Sequence, residues 1–148
     1  MTSLITFRMR SSEFKYDPNS GDLYRAGKKV GCKNAKGYLV VRIGSRADNK
    51  LWLCHRLIWV GVYGEIPSGK VIDHINMNRS DNRLSNLRLV THQQNMLNTK
   101  AKGVHLEKSS GRYIAYVREN GKHRNLGRFA TESEALAVRQ KAVARLMP

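Results

Sequence analysis

The chain has 148 residues, room for one domain of ordinary size or two small ones. Lysine and arginine number 27 against 11 aspartates and glutamates, a formal net charge of +16, with 41% hydrophobic residues. The basic residues recur along the whole chain, which points to nucleic acid as the partner and, with no long apolar span or strongly basic amphipathic helix, away from a membrane.

To about residue 54 the chain reads as strands and turns. In "FKYDPNSGDLYR", Asp17–Pro18–Asn19 and Ser20–Gly21–Asp22 supply turn chemistry between apolar and aromatic positions. Lys36–Gly37 precedes "YLVVRIG", whose β-branched and aromatic residues suit a strand. In "KLWLCHRLIWVGVYG", Leu53, Leu57, Val60 and Tyr63 fall at helical spacing and Gly64 supplies a stop, so a helix is predicted from about Cys54. Val71–Ile72 reads as a short buried strand ending at Asp73–His74, followed by a loop to Ser85 rich in Asn, Asp, Ser and Arg. "LRLV" is a second short strand and "THQQNMLNTK" a helix beginning near Thr91, giving a compact ββα unit.

Residues 100–130 hold three strand candidates, separated by Ser109–Ser110–Gly111 and by Asn120–Gly121, a strong two-residue hairpin signal. Thr131 and Glu134 then stand at capping-box spacing, and Ala135, Val138, Ala142 and Leu146 form an apolar stripe suited to packing on a sheet. The fold class expected is α+β. The divisions are a strand-rich leader at 1–54, a ββα core at 55–98 and a sheet-and-helix module at 99–148, with a linker near 98–102.

Cys32 and Cys54 form no C-x-x-C pair, so no structural zinc is expected. Their spacing allows a disulfide, but a basic nucleic-acid binder in a reducing compartment is expected to keep buried thiols. The segment "MTSLITFRMRSSEF" lacks the continuous apolar stretch of a secretory signal, and a cytoplasmic location is expected.

Hydrolysis of a phosphodiester needs an activated water, a cation on the phosphate oxygens and a stabilised leaving group. Histidine is largely neutral yet a competent proton acceptor near neutral pH, and Mg²⁺ takes hard oxygen ligands. Asp73 beside His74, with asparagine carbonyls nearby, meets those needs. On a regular strand these two side chains would point to opposite faces, so the strand must end or bend there for both to meet one phosphate.

"DHINMNRSDNRLSNLRLVTHQQN" resembles the ββα-metal core of the HNH endonucleases, in the branch found in phage and intron-borne homing enzymes. The resemblance implies Asp73 as the first metal ligand, His74 as the general base, Asn86 as the asparagine that orients it, and Asn95 as the second metal ligand. On that pattern the Asn86 amide oxygen would accept the His74 Nδ1–H and leave Nε2 to take the proton. "HRLIW" also recurs upstream of such motifs, and His55 carries no assigned role; Asn82 reads as a loop or cap residue, and His92 as exposed or facing DNA.

Residues 102–146, through "KGVHLE", "GRYIAYVRENGK", "RNLGRF" and "TESEALAV", resemble the plant APETALA/ethylene-response-factor DNA-binding domain, whose three-stranded sheet lies in the major groove. The resemblance implies Lys102, His105, Arg112, Tyr113, Arg118, Arg124 and Arg128 as residues facing DNA, although alternation puts Arg118 on the face of Ile114 and Tyr116 and Tyr113 on the other. Asn125 stands where that family has tryptophan and His105 where arginine is common, so its sequence preferences do not transfer. In the leader, Arg42, Arg46 and Lys50 are candidates for backbone contact.

The expectation is a homing-type, phage or mobile-element HNH endonuclease acting on double-stranded DNA as a monomer or homodimer. It would use one Mg²⁺ (or Mn²⁺) per site and no small-molecule cofactor. The rivals are a non-catalytic, sequence-specific DNA-binding protein retaining the HNH fold, and a relatively nonspecific nuclease.

Overall fold

Short alternating segments in the first half of the chain pair locally, as their turn residues dictate. The computed structural model describes residues 3–45, 47–99 and 103–148, so Arg46 and Lys102 lie outside the described residues. Strands β1 (Ile5–Met9), β2 (Ser12–Tyr16), β3 (Leu23–Arg25) and β4 (Lys28–Val30) form an antiparallel sheet in chain order. Strands β5 (Cys32–Lys33), β6 (Leu39–Ile43) and β7 (Lys50–Leu53) form a second. Helix α1 (Cys54–Tyr63) follows β7 without a break and ends at Gly64, at φ 89°.

The inward faces of these elements make one core, built from Phe7, Phe14, Tyr16, Leu23, Val41, Ile43, Cys54, Leu57 and Ile58. The expected division at residues 54 and 55 has no counterpart in this packing, because leader strands and α1 bury their apolar sides against each other. The helix buries Cys54, Leu57 and Ile58, a tighter i, i+3, i+4 stripe than the predicted one, and Tyr63 ends up exposed. A Cβ at Gly61 would run into the Phe7 ring, which is why that helical position carries no side chain.

Strand β8 (Lys70–His74) and strand β9 (Leu87–Thr91) form a two-stranded sheet, joined by a loop that includes a 3₁₀ turn at Leu84–Asn86. The chain divides into two units, Met1–Leu89 and Val90–Pro148. The second opens with α2 (His92–Leu97), capped by Thr91: its hydroxyl accepts from the Gln94 N–H while the Gln94 side chain accepts from the Thr91 N–H. Gln94 also donates to the Leu146 carbonyl at 2.8 Å, so α2 groups with the C-terminal elements and not with the core expected at 55–98.

Those elements are β10 (Val104–Glu107), β11 (Arg112–Glu119) and β12 (Lys122–Phe129), an antiparallel sheet in chain order, and α3 (Glu132–Leu146). The Asn120–Gly121 turn joins β11 to β12 with both residues at positive φ, as that dipeptide predicts. Thr131 and Glu134 make the predicted capping box, and α3 buries Ala135 and Ala142. Ala115 and Val117 supply the buried positions of β11. Among the described residues, the mixture of short antiparallel sheets with helices α1, α2 and α3 is an α+β fold. Among the described residues, no helix is long and apolar enough to cross a membrane. Both cysteines are free; Cys54 is buried, its thiol pushed up to about 12 by desolvation, whereas Cys32 is exposed, contrary to the expectation of two buried thiols.

Candidate active site

Strand β8 ends in three consecutive buried residues, Ile72, Asp73 and His74, so the alternation expected of a strand gives way where the chemistry-bearing pair stands. The loop after it folds on its own asparagines and aspartates. Asn76 Oδ1 accepts from the Asn78 N–H, Asn78 Oδ1 from the Ser80 N–H, and Asp81 Oδ1 from the Arg83 N–H, three successive Asx turns. Asp81 also takes Arg83 Nη2 at 2.6 Å and the Asn76 amide at 2.8 Å; the Arg83 contact above all holds its carboxyl down at about 2. Met77, inside this loop, adopts φ 62°, which a non-glycine residue keeps only when its surroundings enforce it.

Asn86 closes the loop. Its Oδ1 accepts from the Asn76 N–H at 3.0 Å, its Nδ2 donates to the Asp81 carbonyl at 2.8 Å, and its backbone carbonyl accepts from the Ile75 N–H at 2.8 Å. The Asn86 amide therefore braces the residues that follow His74, and does not take the His74 Nδ1–H that the family resemblance implied. The residue that meets the imidazole is Asn82, whose Oδ1 lies 3.0 Å from Nε2. Asn82 is 1% exposed and held through its backbone: the Tyr16 hydroxyl donates to the Asn82 carbonyl at 3.0 Å and accepts from the Leu84 N–H at 2.9 Å. Sequence reasoning placed Asn82 among loop residues; the missed signal is Tyr16, a distant hydroxyl that no local pattern links to residue 82.

His74 is 4% exposed, and burial lowers its proton affinity against the opposing pull of Asn82, Asp73 and Asp81. Its ring meets two others. His55, on the first turn of α1, stands edge-to-face at 4.8 Å between centroids, and Tyr38 lies 5.9 Å from His74 and 5.3 Å from His55. Burial drives His55 down to about 3, so it is an uncharged ring, and its Nδ1 is buried without a hydrogen-bond partner.

Asp73 is also buried, and its Oδ2 takes Arg88 Nε and Nη2, each at 2.9 Å. A carboxylate is the hard oxygen donor that Mg²⁺ or Mn²⁺ prefers, so the donor chemistry fits such an ion, with Arg88 as the cation that balances the carboxylate. No group of three or more His, Cys, Asp or Glu side chains gathers among the described residues. Asn95 is partly buried on α2, in the second unit, where its carbonyl accepts from the Asn98 N–H; His92, on the first turn of that helix, is exposed.

Comparison with known proteins bears on the same segment of the chain. A family model for the HNH endonucleases matches residues 53–97. That span runs from Leu53, the last residue of β7, through His55, Asp73, His74 and Asn86 to Leu97 at the end of α2. The chain carries an HNH endonuclease domain.

An uncharacterised HNH endonuclease of Acanthamoeba polyphaga mimivirus is 38% identical over 89 residues, 57% of this chain and 47% of that protein. The chain thus spans about half the length of that relative. The uncharacterised gene 5.3 protein of Enterobacteria phage T3 is 32% identical over 69 residues, 45% of this chain and 68% of that protein. Among solved structures, the HNH homing endonuclease I-HmuI, described as binding and cleaving DNA, superposes with a TM-score of 0.51 at 22% identity. It covers 76% of this chain and 70% of its own, a likeness of fold.

C-terminal to the HNH domain, the β10–β12 sheet leaves one face uncovered by α3. Residues opposite one another in antiparallel strands share a face. His105 stands opposite Ile114, Ile114 opposite Arg128, Tyr116 opposite Asn125 and Arg118 opposite His123, while Arg112 stands opposite Glu107. The open face therefore carries His105, Arg112, Arg118 and Arg128 of the expected set, together with Tyr116, His123 and Asn125. A shallow hollow of about 620 Å³ is lined by His105, Ile114, Tyr116, His123 and Asn125. Arg128 is tied to Glu107 at 3.1 Å. Arg124 departs from the expectation: it lies opposite the buried Val117, on the α3 side, and pairs with Glu119 at 3.3 Å. A bulge after the Ala115 pairing shifts the register there. Tyr113 also points to the α3 side, in line with Ala115 and Val117.

Proposed function

We propose that the protein is a metal-dependent DNA endonuclease that hydrolyses a phosphodiester with His74 as general base. The observation that carries this reading is the His74–Asn82 pair: a buried, uncharged imidazole pinned at Nε2 by a buried amide, beside the carboxylate of Asp73. Because Asn82 engages Nε2, we assign Nδ1 as the nitrogen that accepts the proton of the attacking water. The water oxygen forms the new bond to phosphorus, its proton passes to His74, and the opposite P–O bond breaks with its electron pair leaving on oxygen, which solvent protonates.

Asp73 and Asn95 are the residues we assign to hold one Mg²⁺ or Mn²⁺, which when bound polarises a phosphate oxygen and offsets charge on the leaving oxygen. The net charge of +16 suits double-stranded DNA as substrate. We assign the open face of the C-terminal sheet to duplex binding, through His105, Arg112, Arg118 and Arg128, in the manner of the APETALA-like domains. We assign a homing-type, phage or mobile-element role on the resemblance of residues 73–95 to the HNH endonucleases.

The test is cleavage of supercoiled plasmid and of the source genome's DNA with Mg²⁺, Mn²⁺ or EDTA, comparing wild type with His74→Ala. Metal-dependent nicking or linearisation by wild type alone is the expected result. Tight, salt-sensitive binding of both DNAs with no cutting in any metal would instead favour the non-catalytic DNA-binding reading.

A further inference from the structure

Arg79 sits at the far end of the loop that follows His74, and its side chain is fixed although it is exposed. Its guanidinium carbon lies 4.9 Å from the centroid of the Tyr38 ring, and Nη1 donates to the Lys36 carbonyl at 2.9 Å. Ser80, the next residue, donates its hydroxyl to the Gly37 carbonyl at 3.0 Å. The turn beneath is rigid in its own right: Asn34 Oδ1 accepts from the N–H groups of Lys36 and Tyr38, and the Asn34 carbonyl from the N–H of Gly37. The loop tip is thus stapled to the 34–38 turn, and the same Tyr38 ring touches the rings of His55 and His74.

This is an unusual way to keep an arginine. Asp81, the acidic residue nearest in the loop, is occupied by Arg83 and Asn76. No carboxylate among the described residues pairs with Arg79. One guanidinium N–H is used on a carbonyl and the stack orients the rest, so a flat cation with spare donors is held ready at the loop surface. A packing role alone does not call for a charge at this place, since an aliphatic side chain would cover Tyr38 as well.

We propose that Arg79, seated on Tyr38, is the catalytic residue that binds the non-bridging oxygens of the scissile phosphodiester, with Tyr38 as its positioning residue. The inference rests on the nuclease reading and adds to it the group that meets the charge developing on phosphate, which a guanidinium does through paired N–H donors.

The test is single-turnover cleavage by the full-length chain in Mg²⁺ or Mn²⁺, with DNA affinity measured separately in EDTA. Arg79→Gln keeps a planar amide for the stack and the Lys36 contact but removes the charge. It should slow the cleavage step about 100-fold with the melting temperature and DNA affinity nearly unchanged. Tyr38→Ala should slow cleavage as well, and Tyr38→Phe should restore it, since the ring and not the hydroxyl carries Arg79. Added guanidinium ion should partly rescue Arg79→Ala. Wild-type cleavage rates in Arg79→Gln would overturn this proposal and leave the nuclease reading standing. An equal loss of affinity and rate in Arg79→Gln would also overturn it, since that marks a general backbone contact. Failure of wild type itself to cleave would remove both.

Discussion

Asn82 meets His74 with its side chain, Oδ1 to Nε2 at 3.0 Å, while its backbone carbonyl accepts the hydroxyl of Tyr16 at 3.0 Å. One buried asparagine thus ties the imidazole to the N-terminal sheet. Replacing it with alanine leaves Nε2 without its acceptor and frees the ring to turn. Asn82→Ala should lower the cleavage rate 10- to 100-fold, the scale seen when a partner orienting an active-site histidine is lost, with DNA binding in EDTA preserved. Rapid-quench cleavage beside an equilibrium binding assay checks this; unchanged rates would return Asn82 to an ordinary loop role.

Tyr16 is 0% exposed and both lone pair and proton of its hydroxyl are used, on Leu84 N–H and the Asn82 carbonyl. Tyr16→Phe keeps the ring in the core and strands those two backbone groups. We expect a loss of about 1–3 kcal/mol in denaturant unfolding, together with slower cleavage. A stability loss with no change in cleavage would show that the hydroxyl braces the fold and not the site.

His55 has an acid signature. Its pKa falls from 6.5 when unfolded to about 3 when folded, chiefly by burial, so the folded state binds fewer protons between those values. The stability tied to its neutral form is complete above pH 6.5 and is lost as pH falls from there toward about 3, at up to about 1.4 kcal/mol per pH unit. His55→Phe should flatten that slope, and urea unfolding at several pH values across the window reads it directly. Parallel slopes in both proteins would mean that His55 stays hydrated in the folded chain.

Asp73→Asn keeps the shape of the side chain and removes the charge that balances Arg88 and that we assign to the divalent ion. Mn²⁺ affinity, followed by its electron paramagnetic resonance signal, should fall at least tenfold, and cleavage should fall with it. Equal Mn²⁺ binding by both proteins would move the ion elsewhere.

On the C-terminal sheet the two faces make opposite forecasts. Arg112→Ala with Arg118→Ala, both on the open face, should weaken DNA binding and reduce the salt dependence by about one unit of slope per lost phosphate contact. Arg124→Ala, on the α3 side and paired with Glu119, should leave the slope alone. Truncation is a poorer test here, because α2 depends on Leu146 through Gln94, and removing the module disturbs the helix that carries Asn95.

Much of the architecture was legible because its signals are local. The capping residues Thr91 and Thr131, the Asn120–Gly121 turn and the start of α1 at Cys54 each lie within a few residues of what they specify. The Asp73–His74 pair stood out for the same reason, as two adjacent side chains at a strand end. What stayed hidden depends on residues far apart in the chain. The partner of His74 was placed at Asn86 by family pattern, whereas the loop's Asx turns commit Asn86 to Asn76 and Asp81 and bring Asn82 to the imidazole. The face of Arg124 depends on the β12 bulge, which shifts the register by one residue and leaves no mark in composition.

Gly21 bears on how this fold can be rebuilt. It sits at φ 78° in the turn after β2, and a Cβ there would stand 2.6 Å from the backbone nitrogen of Arg83. The absence of one methyl group some sixty residues upstream therefore sets how closely the N-terminal sheet can approach the loop that holds Asn82. A chimera that joined the matched segment from residue 53 onward to a foreign leader would carry every motif residue and lose this seat. The portable unit for grafting begins with the first sheet, and a library that randomises turn glycines as neutral surface positions would inactivate the site from outside it.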